Sequence, residues 1–319
     1  MRVVAADEVD RALAWPALID AIGGVFAGGH VAPTRHHHAV ARPDGEATLL
    51  LMPAWTEAAG PPGSGDFLGV KIATVHPGNG VLGLPSVQAT YLLMDGGTGR
   101  PLAAIDGTRL TLWRTAAASA LAAHYLARRE TRRMVVVGAG ALAPFLGRAH
   151  ASTRGFDHVA VWARRPEAAA GLAAELAAAG LPAEPADDLE TAVRAADLVS
   201  CATLSTEPLV RGEWLRAGAH LDLVGAFSLG MREADDDALA RASVFVDTPA
   251  CLVEGGDVAA AIRAGTFDGA RVRGDLAGLV SGRVPGRTSS DEITLFKSIG
   301  ASLEDLAAAI LVWTAPGAA

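Results

Sequence analysis

The stretch that decides the fold reads Met134-Val135-Val136-Val137-Gly138-Ala139-Gly140-Ala141-Leu142-Ala143. Its first four residues predict a short buried strand, and the pattern over 143–154 predicts a helix. The G-x-G-x-x-A spacing between them is typical of a turn that binds a dinucleotide. Gly138 permits the tight turn, Gly140 lets the backbone approach a pyrophosphate, and the helix N-terminus offers N–H groups to the anion. The predicted cofactor-binding residues of this turn are Gly138, Ala139, Gly140, Ala141 and Leu142.

The chain that follows this turn alternates between strands and helices. A helix is predicted at 167–179, and further strands are predicted at 159–162, 198–202, 220–223 and 244–246. Such alternation is typical of a parallel, doubly wound sheet. The predicted fold class is therefore α/β with a Rossmann-type sheet.

The chain before the turn has a different pattern of predicted elements, in which strands follow one another. Strands are predicted at 48–52, 67–75, 88–94 and 101–105, and the last two flank a glycine-rich turn at 95–99. Because tight turns join neighbouring antiparallel strands, this part is predicted to be a mainly antiparallel α+β domain.

Two helical stretches complete this first domain. One is predicted at 111–129, with Thr108 or Thr111 as its N-cap, and the other covers the tail at 290–313. We expect the tail to return and pack on the first domain, which makes that domain discontinuous. The predicted division is a substrate-binding domain over 1–120 and 288–319, and a dinucleotide-binding domain over 121–287.

Composition excludes several classes of protein. The 319 residues are 50% apolar and 19% charged, as in a globular chain, and 27 Lys and Arg against 35 Asp and Glu give a net charge of -8. That balance argues against a nucleic-acid partner and favours small molecules. The N-terminus has no secretory pattern, and charges or histidine interrupt each long apolar stretch. We expect a cytoplasmic protein without a membrane partner.

The cysteines and histidines do not indicate a metal site. Cys201 and Cys251 are far apart, in no zinc-type spacing, which also argues against a disulfide scaffold. The triplet His36-His37-His38 has no second cluster of ligands, and consecutive residues of a strand point to opposite faces. We therefore expect no metal.

The end of the second predicted strand of the α/β part bears on the choice of cofactor. NAD-binding proteins carry an acidic residue there for the ribose hydroxyls, whereas this chain has Arg164 and Arg165. Guanidinium groups suit a 2′-phosphate, so the predicted cofactor is NADPH, with NADH possible. The alternative is that one or both arginines only cap a surface turn.

Three cations in the first part form a candidate carboxylate site. Lys71 lies in the middle of an apolar predicted strand, on one face with Gly69 and Ala73, and must reach solvent, a carboxylate or a ligand anion. Arg114 begins the long helix and Arg35 precedes the first strands. If the fold brings the three cations together, they can bind a substrate carboxylate. An internal salt bridge remains the alternative for Lys71.

Several ordered stretches resemble the ornithine cyclodeaminase/mu-crystallin family, nearly from end to end. They are Val70-Lys71-Ile72, His76-Pro77-Gly78-Asn79, Gly83-Leu84-Pro85, Thr98-Gly99-Arg100-Pro101-Leu102-Ala103, Arg114-Thr115-Ala116-Ala117, Gly138-Ala139-Gly140, Pro285-Gly286-Arg287-Thr288 and Thr294-Leu295-Phe296-Lys297-Ser298-Ile299-Gly300. The resemblance implies a homodimer whose first domains pair through their sheets, and an active site in the cleft between domains. It also implies that Arg35, Lys71 and Arg114 hold the substrate carboxylate and that Lys71 and Arg114 are catalytic.

One departure from the family pattern distinguishes its branches. The cyclodeaminases carry an aspartate in a Gly-x-Asp motif before an Arg-Glu pair, whereas here Phe227 follows Gly225-Ala226 and precedes Met231-Arg232-Glu233. This stretch of sequence is similar to that of the bacterial Δ1-pyrroline-2-carboxylate reductases of the family. The resemblance makes Phe227 a candidate substrate contact. Core packing is the alternative reading of Phe227.

The missing aspartate favours reduction of an imine over cyclodeamination. A cyclic imine can enter already protonated, so hydride addition requires no general acid, whereas cyclodeamination requires proton transfers at each stage. The predicted reaction is reduction of Δ1-pyrroline-2-carboxylate to L-proline, and of Δ1-piperideine-2-carboxylate to L-pipecolate. The alternatives are an ornithine cyclodeaminase, an alanine-type dehydrogenase, and an NADPH-binding protein without turnover. The roles of His76, Asn79, Thr115 and Ser228 stay open.

Overall fold

The computed structural model describes residues 1–42, 45–57 and 66–316, and the chain divides into two compact units. Unit 1 comprises Met1–Thr115 and the C-terminal residues from Ala301 onward, and unit 2 comprises Ala116–Gly300. The sequence-based division assigns residues 116–120 and 288–300 to the first domain, whereas in the structure they belong to unit 2.

The helices and strands are numbered along the chain. The helices are α1 Ala6–Ala12, α2 Trp15–Ala27, α3 Gly107–Leu126, α4 Ala143–Thr153, α5 Pro166–Ala178, α6 Leu189–Ala195, α7 Asp236–Arg241, α8 Val258–Ala264, α9 Leu276–Val280 and α10 Ser302–Thr314. The strands are β1 Arg2–Val4, β2 His30–Val31, β3 His36–Arg42, β4 Gly45–Thr56, β5 Phe67–Val75, β6 Val87–Asp95, β7 Pro101–Asp106, β8 Arg133–Val137, β9 His158–Trp162, β10 Ala183–Pro185, β11 Leu198–Cys201, β12 His220–Leu223, β13 Ser243–Val246, β14 Val272–Asp275 and β15 Thr294–Lys297. None of the described helices is both long and apolar enough to cross a membrane.

Unit 1 is built on a seven-stranded sheet, in the order β1-β7-β6-β5-β4-β2 with β3 also paired to β4. Its pairs are antiparallel except for β1 and β7. The register places Met52, Lys71, Tyr91 and Ile105 in one row across β4, β5, β6 and β7. Residues directly opposite each other share a face, and these four side chains are buried. Helices α2 and α10 pack together, and α10 also contacts β4, β5 and β6.

Unit 2 is built on an eight-stranded parallel sheet, in the order β10-β9-β8-β11-β12-β15-β13-β14. The chain runs outward from β8 to β10 and then returns to β11 on the other side of β8, which creates a topological switch point between β8 and β11. Ligands of such sheets bind outside the carboxyl ends of the strands at this point. The predicted fold class, with a Rossmann-type sheet and a mainly antiparallel α+β part, is confirmed.

The structure corrects two local predictions. The tail is not helical throughout 290–313, because its residues Thr294–Lys297 form β15, a central strand paired to both β12 and β13. A short apolar run is compatible with a helix or with a buried strand, and only its neighbours decide between them. Neither Thr108 nor Thr111 caps α3, which begins at Gly107; the Asp106 carboxylate accepts the Arg109 N–H at 2.7 Å instead.

Candidate active site

The turn after β8 has the geometry that its glycines predict. Gly138 has φ of 110°, a conformation that favours glycine, and its N–H donates to the Trp162 carbonyl at 2.8 Å. A Cβ on Gly138 would lie 2.6 Å from the Ala202 carbonyl oxygen. The ends of β8, β9 and β11 are therefore close together here, and only glycine fits between them.

The rest of this turn fits a dinucleotide pyrophosphate. Gly140 is exposed, and a Cβ built on it would meet nothing within 4 Å among the described residues, so there is open space above its backbone. Ala139 and Leu142 are half-buried and Ala141 is exposed. Helix α4 begins directly afterwards, and its N-cap residue Leu142 has no side-chain oxygen for the first N–H groups. Those groups and the helix dipole suit an anion.

The two arginines after β9 occupy different positions. Both are exposed, and Arg165 is the N-cap residue of α5, whose carbonyl accepts the Ala168 and Ala169 N–H groups. Arg164 precedes it in the bend between β9 and α5. The capping alternative therefore applies to the backbone of Arg165, while both exposed arginines follow the carboxyl end of β9 in the chain.

Lys71 and Arg114 meet at one buried carboxylate, that of Asp305. Lys71 Nζ lies 2.9 Å from Asp305 Oδ1 and 2.8 Å from Oδ2, and 3.4 Å from Thr111 Oγ1. Arg114 donates through Nε to Asp305 Oδ1 at 3.0 Å and through Nη1 to Glu304 Oε2 at 2.6 Å. The salt bridge considered for Lys71 from the sequence is therefore present. We call Lys71, Arg114, Glu304 and Asp305 the clamp cluster.

The clamp cluster is almost fully buried. The Glu304 and Asp305 side chains are fully buried, and those of Lys71 and Arg114 are at most 5% exposed. Burial and the neighbouring Arg114 charge lower the pKa of Lys71 to about 8, against the opposing effect of Asp305 and Glu304. Across the sheet, Tyr91 pairs with Lys71, and burial followed by the charge of Asp305 raises the Tyr91 pKa well above its usual range.

Sequence reasoning did not identify Glu304 and Asp305. Two acids in the first turn of a helix are an ordinary complement to its dipole, and that reading requires no partner. The available signal was their place on a helix that is otherwise almost entirely apolar, from Leu306 to Val312. A buried acid on such a helix requires a cation.

Arg35 lies at the edge of the same sheet. It is half-buried and immediately precedes β3, whose first residue pairs with Leu51 of β4. The next position along β4 is Met52, which pairs with Lys71. The register thus leads from the start of β3, next to Arg35, to the row of Lys71. The ion pairs of the clamp cluster join Lys71 and Arg114 through Asp305.

Phe227 lies in the loop after β12, at the carboxyl edge of the parallel sheet. Its side chain is half-buried and its N–H donates to the Gly225 carbonyl at 3.0 Å. The Glu233 carboxylate anchors this loop, because it accepts N–H groups of Gly225 at 2.7 Å and Ala226 at 3.2 Å. It also accepts the Thr203 N–H at 2.7 Å, which ties the loops after β11 and β12 together.

The buried ion pair of Asp257 and Lys297 holds the backbone at Glu233 in place. Asp257 Oδ1 accepts the N–H groups of Glu233 and Ala234, and Lys297 Nζ lies 3.1 Å from Asp257 Oδ2. Asp257 has φ of 50°, the one positive φ outside glycine in the described chain. In the sequence, Glu233 and Lys297 lie within the stretches that resemble the family, but their role in holding these loops was not predicted. Asp257 was not identified from the sequence.

The histidines and cysteines take ordinary places. His36, His37 and His38 are exposed on β3, and the two cysteines are buried thiols. Within the ranges that the structure describes, no group of three or more His, Cys, Asp or Glu side chains is arranged to hold a metal ion.

A parallel sheet with a G-x-G-x-x-A turn at its switch point defines the class of Rossmann-type dinucleotide-binding proteins. Within that class, the chain belongs to the ornithine cyclodeaminase/mu-crystallin family, whose sequence model matches residues 3–315. The family predicted from the sequence is thereby confirmed.

Three similar proteins have names that describe a function. The Δ1-pyrroline-2-carboxylate reductase of Paracoccus denitrificans is 39% identical over 87% of this chain and 86% of its own. The structure of the Thermococcus litoralis Δ1-pyrroline-2-carboxylate reductase with NADH and L-proline matches with a TM-score of 0.91 and 30% identity, over 98% of this chain and 96% of its own. An archaeal alanine dehydrogenase dimer with bound NAD matches with a TM-score of 0.89 and 29% identity, over 98% and 95%.

Proposed function

We propose that this protein is an NAD(P)H-dependent oxidoreductase that reduces cyclic imino acids. The substrates are Δ1-pyrroline-2-carboxylate, which gives L-proline, and Δ1-piperideine-2-carboxylate, which gives L-pipecolate. The observation that carries the proposal is the meeting of Lys71 and Arg114 at one buried carboxylate. Two cations held this close supply a site for the carboxylate of a substrate, and the named reductases among its relatives act on such a compound.

The residues of this chain bind and orient the substrate. Lys71 and Arg114, with Arg35 at the sheet edge, hold its carboxylate and thereby fix the ring, and Phe227 offers an apolar surface. Fixing the ring lowers the barrier by orientation alone. The imine nitrogen arrives protonated, so hydride addition gives a neutral secondary amine. This strongly basic amine takes one further proton from water and leaves as the ammonium form, without a general acid from the protein. When bound, the cofactor supplies the hydride that adds to the imine carbon.

The proposed cofactor is a nicotinamide dinucleotide, preferably NADPH, with NADH also accepted. Gly138, Ala139, Gly140, Ala141 and Leu142 surround the pyrophosphate with backbone groups, as the open space at Gly140 and the uncapped start of α4 suggest. Arg164 and Arg165 follow β9 in place of an acid, and their guanidinium groups suit a 2′-phosphate.

The test follows oxidation of NADPH and NADH with pyrroline-2-carboxylate, together with release of ammonia from ornithine. We expect imine-dependent oxidation, faster with NADPH, and no ammonia. Ammonia from ornithine, or oxidation that requires pyruvate and ammonia, would contradict the proposal and favour a cyclodeaminase or an alanine-type dehydrogenase. Tight NADPH binding without turnover of any imino acid would favour a binding protein.

We also propose that the enzyme acts as a homodimer in the cytoplasm. The support lies in the sheet of unit 1, where the face opposite Lys71 carries the half-buried apolar side chains of Leu51, Pro53, Val70, Ile72 and Leu92. A second copy would cover this face, in agreement with the dimer named for the archaeal relative.

A further inference from the structure

Asp305 is the common partner of both clamp cations. Its Oδ1 lies 2.9 Å from Lys71 Nζ and 3.0 Å from Arg114 Nε, and its Oδ2 lies 2.8 Å from Lys71 Nζ. Glu304 contacts Arg114 through Oε2. The cations come from β5 and α3, and α10 brings the carboxylate to both of them.

We propose that Asp305 is the positioning residue of the carboxylate clamp, because it sets the separation and direction of the Lys71 ammonium and the Arg114 guanidinium. This inference rests on the proposed function. Lysine has three N–H donors and arginine five, so each cation can bind Asp305 and also a substrate carboxylate. Without Asp305, the two like charges repel each other and the lysine chain has no fixed direction.

An opposite role for Asp305 makes a different prediction. If its carboxylate only competes with the substrate for the two cations, removing its charge must strengthen substrate binding, because the site gains positive potential. If Asp305 positions the cations, removing its charge must weaken binding. The direction of the change therefore separates the two roles.

The position of Asp305 in the core favours the positioning role. Its side chain is fully buried under the sheet of unit 1, and α10 contacts β4, β5 and β6. A carboxylate that is enclosed this completely and paired to two cations has little room to move aside for each substrate molecule. It is a permanent part of the cation environment.

The experiment compares Asp305→Asn with the wild-type protein in the imine reduction. We expect KM for pyrroline-2-carboxylate to rise by roughly 10- to 100-fold, with a smaller change in kcat, because misplacing a group by about 1 Å can cost about 100-fold in catalytic efficiency. KM for the cofactor should stay within twofold, because the dinucleotide turn lies in unit 2. KM should also begin to rise at a lower pH than in the wild-type protein, since the Asp305 charge supports the protonated state of Lys71.

The matched control is Asp10→Asn. Asp10 also binds an arginine of α3, Arg109, at 2.7 and 2.6 Å, but its side chain is 33% exposed, and the Lys71 ammonium bonds to Asp305 and Thr111 instead. We expect this variant to keep the wild-type KM and pH profile. If Asp305→Asn does not fold, Asp305→Glu takes its place: it keeps the charge but moves the carboxylate, so KM should rise while the pH profile stays unchanged.

The outcomes are distinguishable from failure of the proposed function. A wild-type protein with no imine reduction contradicts the proposed function itself. An active wild-type protein whose Asp305→Asn variant has an unchanged or lower KM overturns the positioning role. If only Asp305→Glu folds, an unchanged KM in that variant overturns it.

Discussion

At the scale of single residues, Lys71 connects burial to function. An ammonium removed from water loses its hydration, and the nearby guanidinium of Arg114 repels it, so its pKa falls to about 8. Asp305 and Glu304 oppose this shift, and Tyr91 across the sheet stays neutral because its pKa is raised. Lys71 is therefore charged below about pH 8 and neutral above it.

We expect KM for the imino acid to rise by about tenfold per pH unit above pH 8, because only the charged form of Lys71 attracts the carboxylate. Steady-state kinetics from pH 6.5 to pH 10 measure this dependence. The variant Lys71→Arg stays charged throughout this range, so its KM should lack the rise that Lys71 causes. The substrate titrates in the same way with both proteins. Identical pH profiles of KM would therefore contradict the assignment of the rise to Lys71.

At the scale of elements, β15 holds unit 2 together. It lies between β12 and β13, so that every residue from Thr294 to Lys297 is fully buried. Helix α10 follows within a few residues and carries the two acids of the clamp cluster. Along the chain, the C-terminal part thus contributes a central strand to the parallel sheet and then, in α10, the partners of Lys71 and Arg114.

Leu295→Ala should reduce the free energy of unfolding by about 2–5 kcal/mol, because it leaves a cavity in the middle of the sheet. Chemical denaturation, followed by circular dichroism, measures the loss. Leu204→Ala is the control: Leu204 is 59% exposed, so its truncation should change stability by no more than about 0.5 kcal/mol. Equal effects of the two substitutions would contradict the central role of β15.

At the scale of the whole molecule, the sheet of unit 1 has two different faces. One carries the buried row of Met52, Lys71, Tyr91 and Ile105, and the other carries half-buried apolar side chains around Ile72. Contiguous apolar surface on one face of a sheet is typical of a site of association. The proposed dimer covers it with the same face of a second copy.

Ile72→Lys should convert the dimer into a monomer, because it places a charge in an apolar contact and repeats it across the symmetry axis. Sedimentation equilibrium should give twice the chain mass of 32.5 kDa for the wild-type protein and the single mass for the variant. Val253→Lys, at a side chain that is 60% exposed in unit 2, should remain dimeric. A monomeric wild-type protein, or a dimeric Ile72→Lys variant, would contradict the use of this face.

Several features of this protein follow from local patterns in its sequence. The strand ending at Val137, the glycine turn and the helix that begins at Ala143 are encoded within a dozen neighbouring residues, because φ preferences and apolar periodicity act over that range. The same holds for β5, whose bounds of Phe67–Val75 agree with the prediction. Lys71 and Arg114 were identifiable because each is a charge in an apolar setting.

The meeting of distant residues, in contrast, is visible only in the folded chain. Lys71 and Asp305 are separated by 234 positions, and no local pattern relates them. Residues 294–297 became a strand because β12 and β13 leave a central place for them, although the same residues alone fit a helix. The physical reason is that pairing in sheets and the neutralisation of buried charges depend on neighbours in space, which the order of the chain does not specify.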